Sequence, residues 1–430
     1  MRCFAVLTLL SFAIATMSQS PVVFRSTYNA STNHQDDGVA AMGDGAGGCY
    51  SDGTAYQSSS GTYDEHVVAY DKLGSQIWLY ENRMTGESER AKVIQTNPLT
   101  HEILALSSVS GAGGTRVRLL TLGADGTFHR QIDISTGTSV STSYSPVLKV
   151  DSLGNCYVAT VRSGDYLLVK FDSKGNQQWE RTLDFGTDVG TPSDLAISPF
   201  GDAFVVGAVG AHGGYVTAKY DFGGNLQWTS TYLGHHGSVL GPAFIQCLAS
   251  GDPIICGSPE DSFGVPQYVI YRLQSSDGQR TWLKAYDPSP LIDAGASGLA
   301  LDSRGNAFVA GDRIAGQART VLVKYDQNGN RLWECNYIGG SPACTGVAVD
   351  AYGNPSISGF AGVTTTGLLV GYTSAGALRW TRVYVGDRYE GITADGRIGF
   401  FAIGSTFGGA TNNDFVTVKV RSLPFMMGGS

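Results

Sequence analysis

The chain predicts an all-β fold, an eight-bladed β-propeller of four-stranded antiparallel blades closed by an N-terminal strand that completes the last blade. Three observations predict it. A unit of about 50 residues recurs along the chain, its clearest copies ending in an alternating β run, Asp, two residues, Gly, three residues and Trp. The composition suits short strands and tight turns: 58 glycines, and 15% charged residues against about 25% in an average soluble protein. Finally, the last copy lacks its fourth strand, and an unassigned strand stands at the other end of the chain.

The repeat is plainest in VVAYDKLGSQIW (67–78), LVKFDSKGNQQW (168–179), VTAKYDFGGNLQW (216–228) and VLVKYDQNGNRLW (321–333). YVIYRLQSSDGQRTW (268–282) and LLVGYTSAGALRW (368–380) keep the Gly and Trp without the Asp. All six Trp, at 78, 179, 228, 282, 333 and 380, fall in this register. A degenerate copy, VRLLTLGADGTFHRQI (117–132), puts Arg130 at the Trp position. The register glycines, from Gly74 to Gly376, are 47 to 54 residues apart. Between them lies a second hairpin: VDSLGNCYVAT (150–160), ISPFGDAFVVG (197–207), LDSRGNAFVAG (301–311) and VDAYGNPSISG (349–359). Each unit therefore holds four strands, a to d, with similar turns at a–b and c–d. The Asp carboxylate caps the turn backbone, and the Gly three residues later accepts positive φ without steric cost. Four short strands per unit at regular spacing are the pattern of propeller blades. Tyr166, Tyr215, Tyr268 and Phe415 open c strands at matching places.

The domain boundaries follow. Residues 21–430 form a single propeller domain, with blades ending near 80, 132, 182, 232, 286, 337 and 384 and a last blade at 386–421. That blade has only a, b and c strands. VVFRSTY (22–28) aligns with LQWTSTY (226–232), puts Phe24 at the Trp position and is expected to supply the missing d strand, which removes an exposed sheet edge.

The pattern AVDxxGNxYVxG followed by DYxxVKYDxxGNxxW closely resembles the SBBP-type β-propeller repeat of exported bacterial proteins. It covers residues 21–421 and is clearest at 150–179, 301–333 and 349–380. The resemblance implies export and a binding or structural role, and no particular reaction. A weaker likeness is to the tryptophan-docking repeats of quinoprotein dehydrogenases. Here the Asp-to-Trp spacing is one residue shorter and the vicinal Cys-Cys of many such active sites is absent.

Residues 1–20 read as a signal peptide, with Arg2 as the positive region, an apolar stretch from Cys3 to Ile14, and Ala13 and Ala15 as a small-residue cleavage pattern. The stretch is too short to span a bilayer, and no later segment is apolar enough. The expected location is secreted or periplasmic, on the extracellular side of a bacterial cell. The net charge of −8, with no basic run, argues against nucleic acid, which needs clustered cations.

Export makes disulfides possible. Cys335 lies on a d strand, Cys344 opens the next a strand, and the eight residues between them make this the expected pair. Cys247 and Cys256 share an a–b hairpin as a weaker second pair. Cys49 and Cys156 occupy one place two blades apart and are expected to be free. None of the cysteines shows zinc-site spacing.

The a–b and c–d turns share one face of a propeller, and the d–a and b–c loops share the other. The second set varies in length and content, which is where function is expected on a rigid scaffold. It carries His34, His66, His212, His235 and His236, together with Asp36, Asp37, Glu65, Glu87, Glu89, Glu260, Asp261, Asp287, Asp293, Asp387 and Glu390. His212, His235 and His236 all belong to the loops of blade 4 and, with Glu260 and Asp261, are the candidate ligand-binding residues. The plain alternative is that they are solvated loop residues. No GxSxG, HExxH, P-loop or alternating-acid calcium loop occurs, so no catalytic residue, cofactor or metal is assigned. The sequence therefore favours a non-catalytic extracellular binding or scaffolding propeller using the variable face, with an extracellular protein or polysaccharide as partner. The alternative is a hydrolase or lyase acting on a carbohydrate or lactone in the central funnel.

Overall fold

The computed structural model describes residues 22–30, 35–136, 145–210, 214–234, 241–260, 265–286, 293–315, 317–339, 342–362, 366–397, 399–407 and 413–421. The expected signal peptide lies outside them. Within them, thirty-two strands form eight four-stranded antiparallel sheets. Seven blades are continuous in sequence, beginning with a strands at Asp36–Gly43, Glu87–Thr96, Val147–Val150, Gly190–Ile197, Phe244–Cys247, Asp293–Leu301 and Pro342–Val349. The eighth takes its a, b and c strands from Asp387–Ala394, Gly399–Phe407 and Asn413–Arg421, and its d strand from Val22–Tyr28. That closing strand runs antiparallel to the c strand, from Val22 opposite Val420 to Tyr28 opposite Phe415. Among the described residues no helix is long and apolar enough to cross a membrane.

The a strands touch one another from blade to blade and so ring the axis. Six of them carry a β-bulge at one shared place, between the residue pairs Gly38/Ala40, Ala91/Val93, Pro192/Asp194, Ala296/Gly298, Cys344/Gly346 and Tyr389/Gly391. A bulge increases local twist, and it recurs where the converging strands are most crowded. The apolar core is divided into eight clusters, one at each seam between neighbouring blades.

One contact repeats round the ring and explains the Gly–Trp register. Each c–d turn glycine has positive φ, from 73° at Gly278 to 88° at Gly376, and all but Gly175 lie under the d-strand aromatic of the preceding blade. A methyl group on Gly224 would stand 2.6 Å from the Trp179 indole; Gly126 under Trp78, Gly278 under Trp228, Gly329 under Trp282 and Gly376 under Trp333 are as close. The indole N–H donates to a carbonyl of the same turn: Trp179 to Phe222 O at 3.1 Å, Trp228 to Ser275 O at 3.1 Å, Trp282 to Gln327 O at 3.0 Å. The c-strand residue opposite the Trp reaches the same oxygen, as Lys170 does at Phe222 O, Lys219 at Ser275 O and Lys324 at Ser374 O.

The two departures from the Trp register keep this contact by other means. Arg130 packs on Gly175, donates to Ser173 O at 3.5 Å and is neutralised by Glu102 at 2.9 Å. Phe24 packs on Gly74, as expected of the closing strand. Trp380 faces the one blade whose c–d connection is cut, and its buried indole N–H has no acceptor.

The cysteine expectation needs correction. All six described cysteines are free. Cys335 lies on an outermost d strand, where its thiol donates to Gly376 O at 2.9 Å; Cys344 lies on an innermost a strand. Inner and outer strands of a blade are three spacings apart, about 14 Å, whereas a disulfide needs Cα atoms within about 7 Å. Cys247 and Cys256 pair with Pro253 and Phe244 rather than with each other. Cys49 and Cys156 do open the b strands of blades 1 and 3 and are buried.

Candidate functional site

Of the candidate ligand-binding residues, His212, His235, His236 and Asp261 lie outside the described residues, as do His34 and Asp287. Glu260 is described, in the b–c loop of blade 5, where it forms an isolated antiparallel bridge with Pro266. The structure does not bring it into a cluster with any described His or acid.

Most of the other variable-face acids hold the ring together. Asp36 is buried and accepts the Ala30 N–H at 2.6 Å. Burial, partly offset by that bond, raises its carboxyl to about 7. Asp37 accepts Ser405 Oγ at 3.0 Å and Asn413 Nδ2 at 3.2 Å, joining blade 1 to blade 8. Asp387 accepts Arg25 of the closing strand at 2.6 Å and the Tyr389 hydroxyl at 3.0 Å. Glu390 pairs with Arg388 at 2.6 Å. His66 is fully buried, its Nδ1 sits 2.9 Å from Tyr28 OH, and burial lowers its imidazole to about 4. It is a core histidine of the closure.

Glu65, Glu87 and Glu89 are brought together at the seam between blades 1 and 2, with Asp52, Arg116, Arg118 and Asp133. At several other seams an aromatic at the head of one c strand enters space left by a b-strand glycine of the next blade. Phe415 meets Gly53, Tyr215 meets Gly257 and Tyr268 meets Gly311. In the 1–2 seam this pair is replaced by Glu65 and Ser107, at the same register positions. Asp52 stands where the b strands of blades 2 to 6 carry Leu106, Ala159, Val206, Cys256 and Ala310. Thr54, between Asp52 and Glu65 on that sheet face, accepts the Ala91 N–H of blade 2 at 3.0 Å, which fixes the face as the one turned to blade 2.

Asp52, Glu65 and Glu89 are fully buried, and both oxygens of Asp52 and of Glu65 lack a hydrogen-bond partner. Arg118, 1% exposed, binds Glu89, Glu87 at 3.1 Å and Asp133 at 2.8 Å; Arg116 binds Glu87 and Asp133 at 2.8 Å. Burial, then the neighbouring Glu89, raises Glu65 to about 8. Burial, then Glu65, holds Asp52 well above the usual carboxylate range. Burial raises Glu89 to about 7 against the pull of Arg118. Asp52 and Arg118 were not among the residues singled out from the sequence. The signal that marks them is their departure from the apolar residues of the same repeat positions. No group of three or more His, Cys, Asp or Glu among the described residues could hold a metal ion.

The described residues also outline surface cavities. One of about 520 Å³ opens on the tight-turn face between blades 8, 1 and 2, lined by Asp44, Asn97, His101 and Asp395 with Met42 and Tyr50. Asp44, Asn97 and Asp395 cap their own turns, Asp44 from Gly47 N at 2.8 Å, Asn97 from Leu99 N at 2.9 Å and Asp395 from Gly399 N at 2.9 Å. On the variable face, a notch of about 410 Å³ between blades 3 and 4 is lined by Leu183, Phe185, Val209, Val216 and Leu233, with Asp184, Asp188, Thr229 and Thr231 among them. A second, of about 270 Å³, lies between blades 6 and 7 against Tyr337, Ala361, Leu368 and Val383.

No family model matches the chain. No curated protein matches it in sequence. Solved structures match the fold. The chain is similar to quinohemoprotein alcohol dehydrogenase from Comamonas testosteroni (TM-score 0.58, 12% identity, 97% of this chain and 78% of that one). It is similar to Sqt1 from Chaetomium thermophilum (TM-score 0.56, 12% identity, 90% and 97%) and to the Dos1 propeller (TM-score 0.54, 8% identity, 94% and 96%). At these identities the likeness is one of architecture.

Proposed function

We propose that this chain is a non-catalytic, extracellular binding propeller that takes an exported or cell-surface protein on its variable face. The observation that carries the reading is the pair of apolar notches between blades 3 and 4 and blades 6 and 7. Large aliphatic side chains surround them: Leu233 is 59% exposed and Val385 86%, with Val189, Ile338 and Val383 also exposed. Exposed apolar groups gathered at concave sites mark interaction surfaces. Aliphatic notches suit the side chains of a protein better than the hydroxyls of a polysaccharide. Support against catalysis comes from how the polar groups are used. Many of the described acids cap turns, latch the last blade or lie in the 1–2 seam; of the two that line the blade 3–4 notch, Asp184 accepts the Gly186 N–H of its own loop at 2.6 Å.

The test uses peptides selected from a display library on the purified full chain. Leu233→Glu and Val383→Glu should each weaken the selected peptides at least tenfold, with the melting temperature unchanged, because both side chains are largely in solvent. Phe200→Glu, on the tight-turn face, should leave binding intact. The opposite pattern contradicts the reading. So does turnover of a glycoside, lactone or alcohol that disappears when an acid is replaced.

A further inference from the structure

The paired exchange of an aromatic–glycine contact for Glu65 and Ser107, with Asp52 added beside it, leaves a seam that apolar packing does not explain. Blade 1 also turns Tyr80 toward this seam, and Asp64, on the opposite face of the same strand as Glu65, adds like charge near Glu89. Blade 2 turns Glu87, Glu89, Arg116, Arg118 and Asp133 toward it. Both guanidinium groups are already engaged by Glu87, Glu89 and Asp133, so among the described residues Asp52 and Glu65 have no ion-pair partner, and Arg118 acts on Glu65 only at a distance, too weakly to offset its burial. The Ser107 hydroxyl lies beside Glu65 without closing a well-formed hydrogen bond. An isolated carboxylate cannot stay ionised in such surroundings; it either neutralises or draws in water.

We propose that the blade 1–blade 2 seam is a proton-dependent clamp. Asp52 and Glu65 carry protons while the blades are closed, and deprotonation loosens the seam. It lies beside the b–c loop at 58–61 and the d–a loop at 83–86, both on the variable face. Loosening it changes the spacing of those loops. The direction follows from linkage. The folded state raises the Glu65 carboxyl from 4.5 to about 8, so folding takes up protons here. The stabilisation is complete below the unfolded value and is lost as pH rises through about 8.

Two measurements on the full chain test the clamp. The infrared carbonyl band of a protonated carboxylic acid should be present in the wild-type protein at pH 7 and shrink in Glu65→Gln and in Asp52→Asn. Its absence from the wild type overturns the proposal without any variant having to fold. In thermal unfolding, the wild-type melting temperature should fall between pH 5 and pH 9. Asp52→Asn/Glu65→Gln, which keeps the shape of both side chains, should lose most of that slope and melt about 2–4 °C above the wild type at pH 8. A double variant that keeps the wild-type slope overturns the proposal. The single variant Glu65→Gln gives the same comparison if the double variant does not fold.

Discussion

A glycine three residues after an Asp reads as a turn glycine, and its positive φ satisfies that reading. The structure adds a second demand, because the same Cα hydrogen faces an indole of the neighbouring blade. The two demands separate experimentally. Gly61 has φ of 68° and nothing within 4 Å of an added methyl, whereas Gly224 has φ of 82° and the Trp179 ring at 2.6 Å. Gly61→Ala should cost about 1 kcal/mol in urea unfolding, the strain of a left-handed residue. Gly224→Ala should cost at least about 2 kcal/mol more, because the indole has to leave its turn. Equal losses would mean that the Trp contact contributes little. Arg130 makes the same point from the other side. The sequence shows only that Trp is missing there; the structure shows a guanidinium on the same glycine, donating to the equivalent carbonyl. A one-dimensional register reveals the position, not the neighbour across the seam.

At the scale of strands, the ring closure was legible because the last unit is one strand short and Val22–Tyr28 fits the gap in register. Its latch was not, since Asp387 and Arg25 are 362 residues apart and look like ordinary loop charges. Arg25 binds the fully buried Asp387 through two nitrogens, at 2.6 and 3.0 Å. Arg25→Met strands that carboxylate. The expected cost is about 2 kcal/mol, below the value for a fully sealed pair because a third of Arg25 reaches solvent. Loss of the latch should also free the Asn413–Arg421 edge, so the variant should form higher oligomers on gel filtration after mild heating. A variant as stable and as monodisperse as the wild type would show that strand pairing alone closes the ring. The recurrent a-strand bulges are hard to read in the sequence, because each inserts a residue that breaks the apolar alternation on which register reading depends. The cysteine pair misled for a related reason: eight residues separate Cys335 from Cys344 along the chain, but they span the full width of a blade.

For the whole molecule, the repeat dictates eight seams, and the departures from it carry the individuality of this chain. Seven seams are held by an aromatic or a guanidinium on a turn glycine. Among the described residues, the aromatic–glycine contact of the 8–1, 4–5 and 5–6 seams gives way in the 1–2 seam to a Glu–Ser pair beside a buried Asp. Reading strands one at a time hides this, because Asp52 looks like a turn residue in SDGTAY and Glu65 looks like a loop acid. Aligning the eight units by position exposes both. The variable face is less legible, since its notches are shaped by d-strand ends and loops that the repeat does not constrain. The functional account rests on that face, and hydrogen exchange with and without a display-selected peptide bound to the full chain tests it most directly. Protection is predicted at 183–189, 233–234, 337–339 and 383–386, the backbone around the two notches. Protection confined to the tight turns at 97–102, 151–155 and 198–202 would place binding on the opposite face and contradict the account.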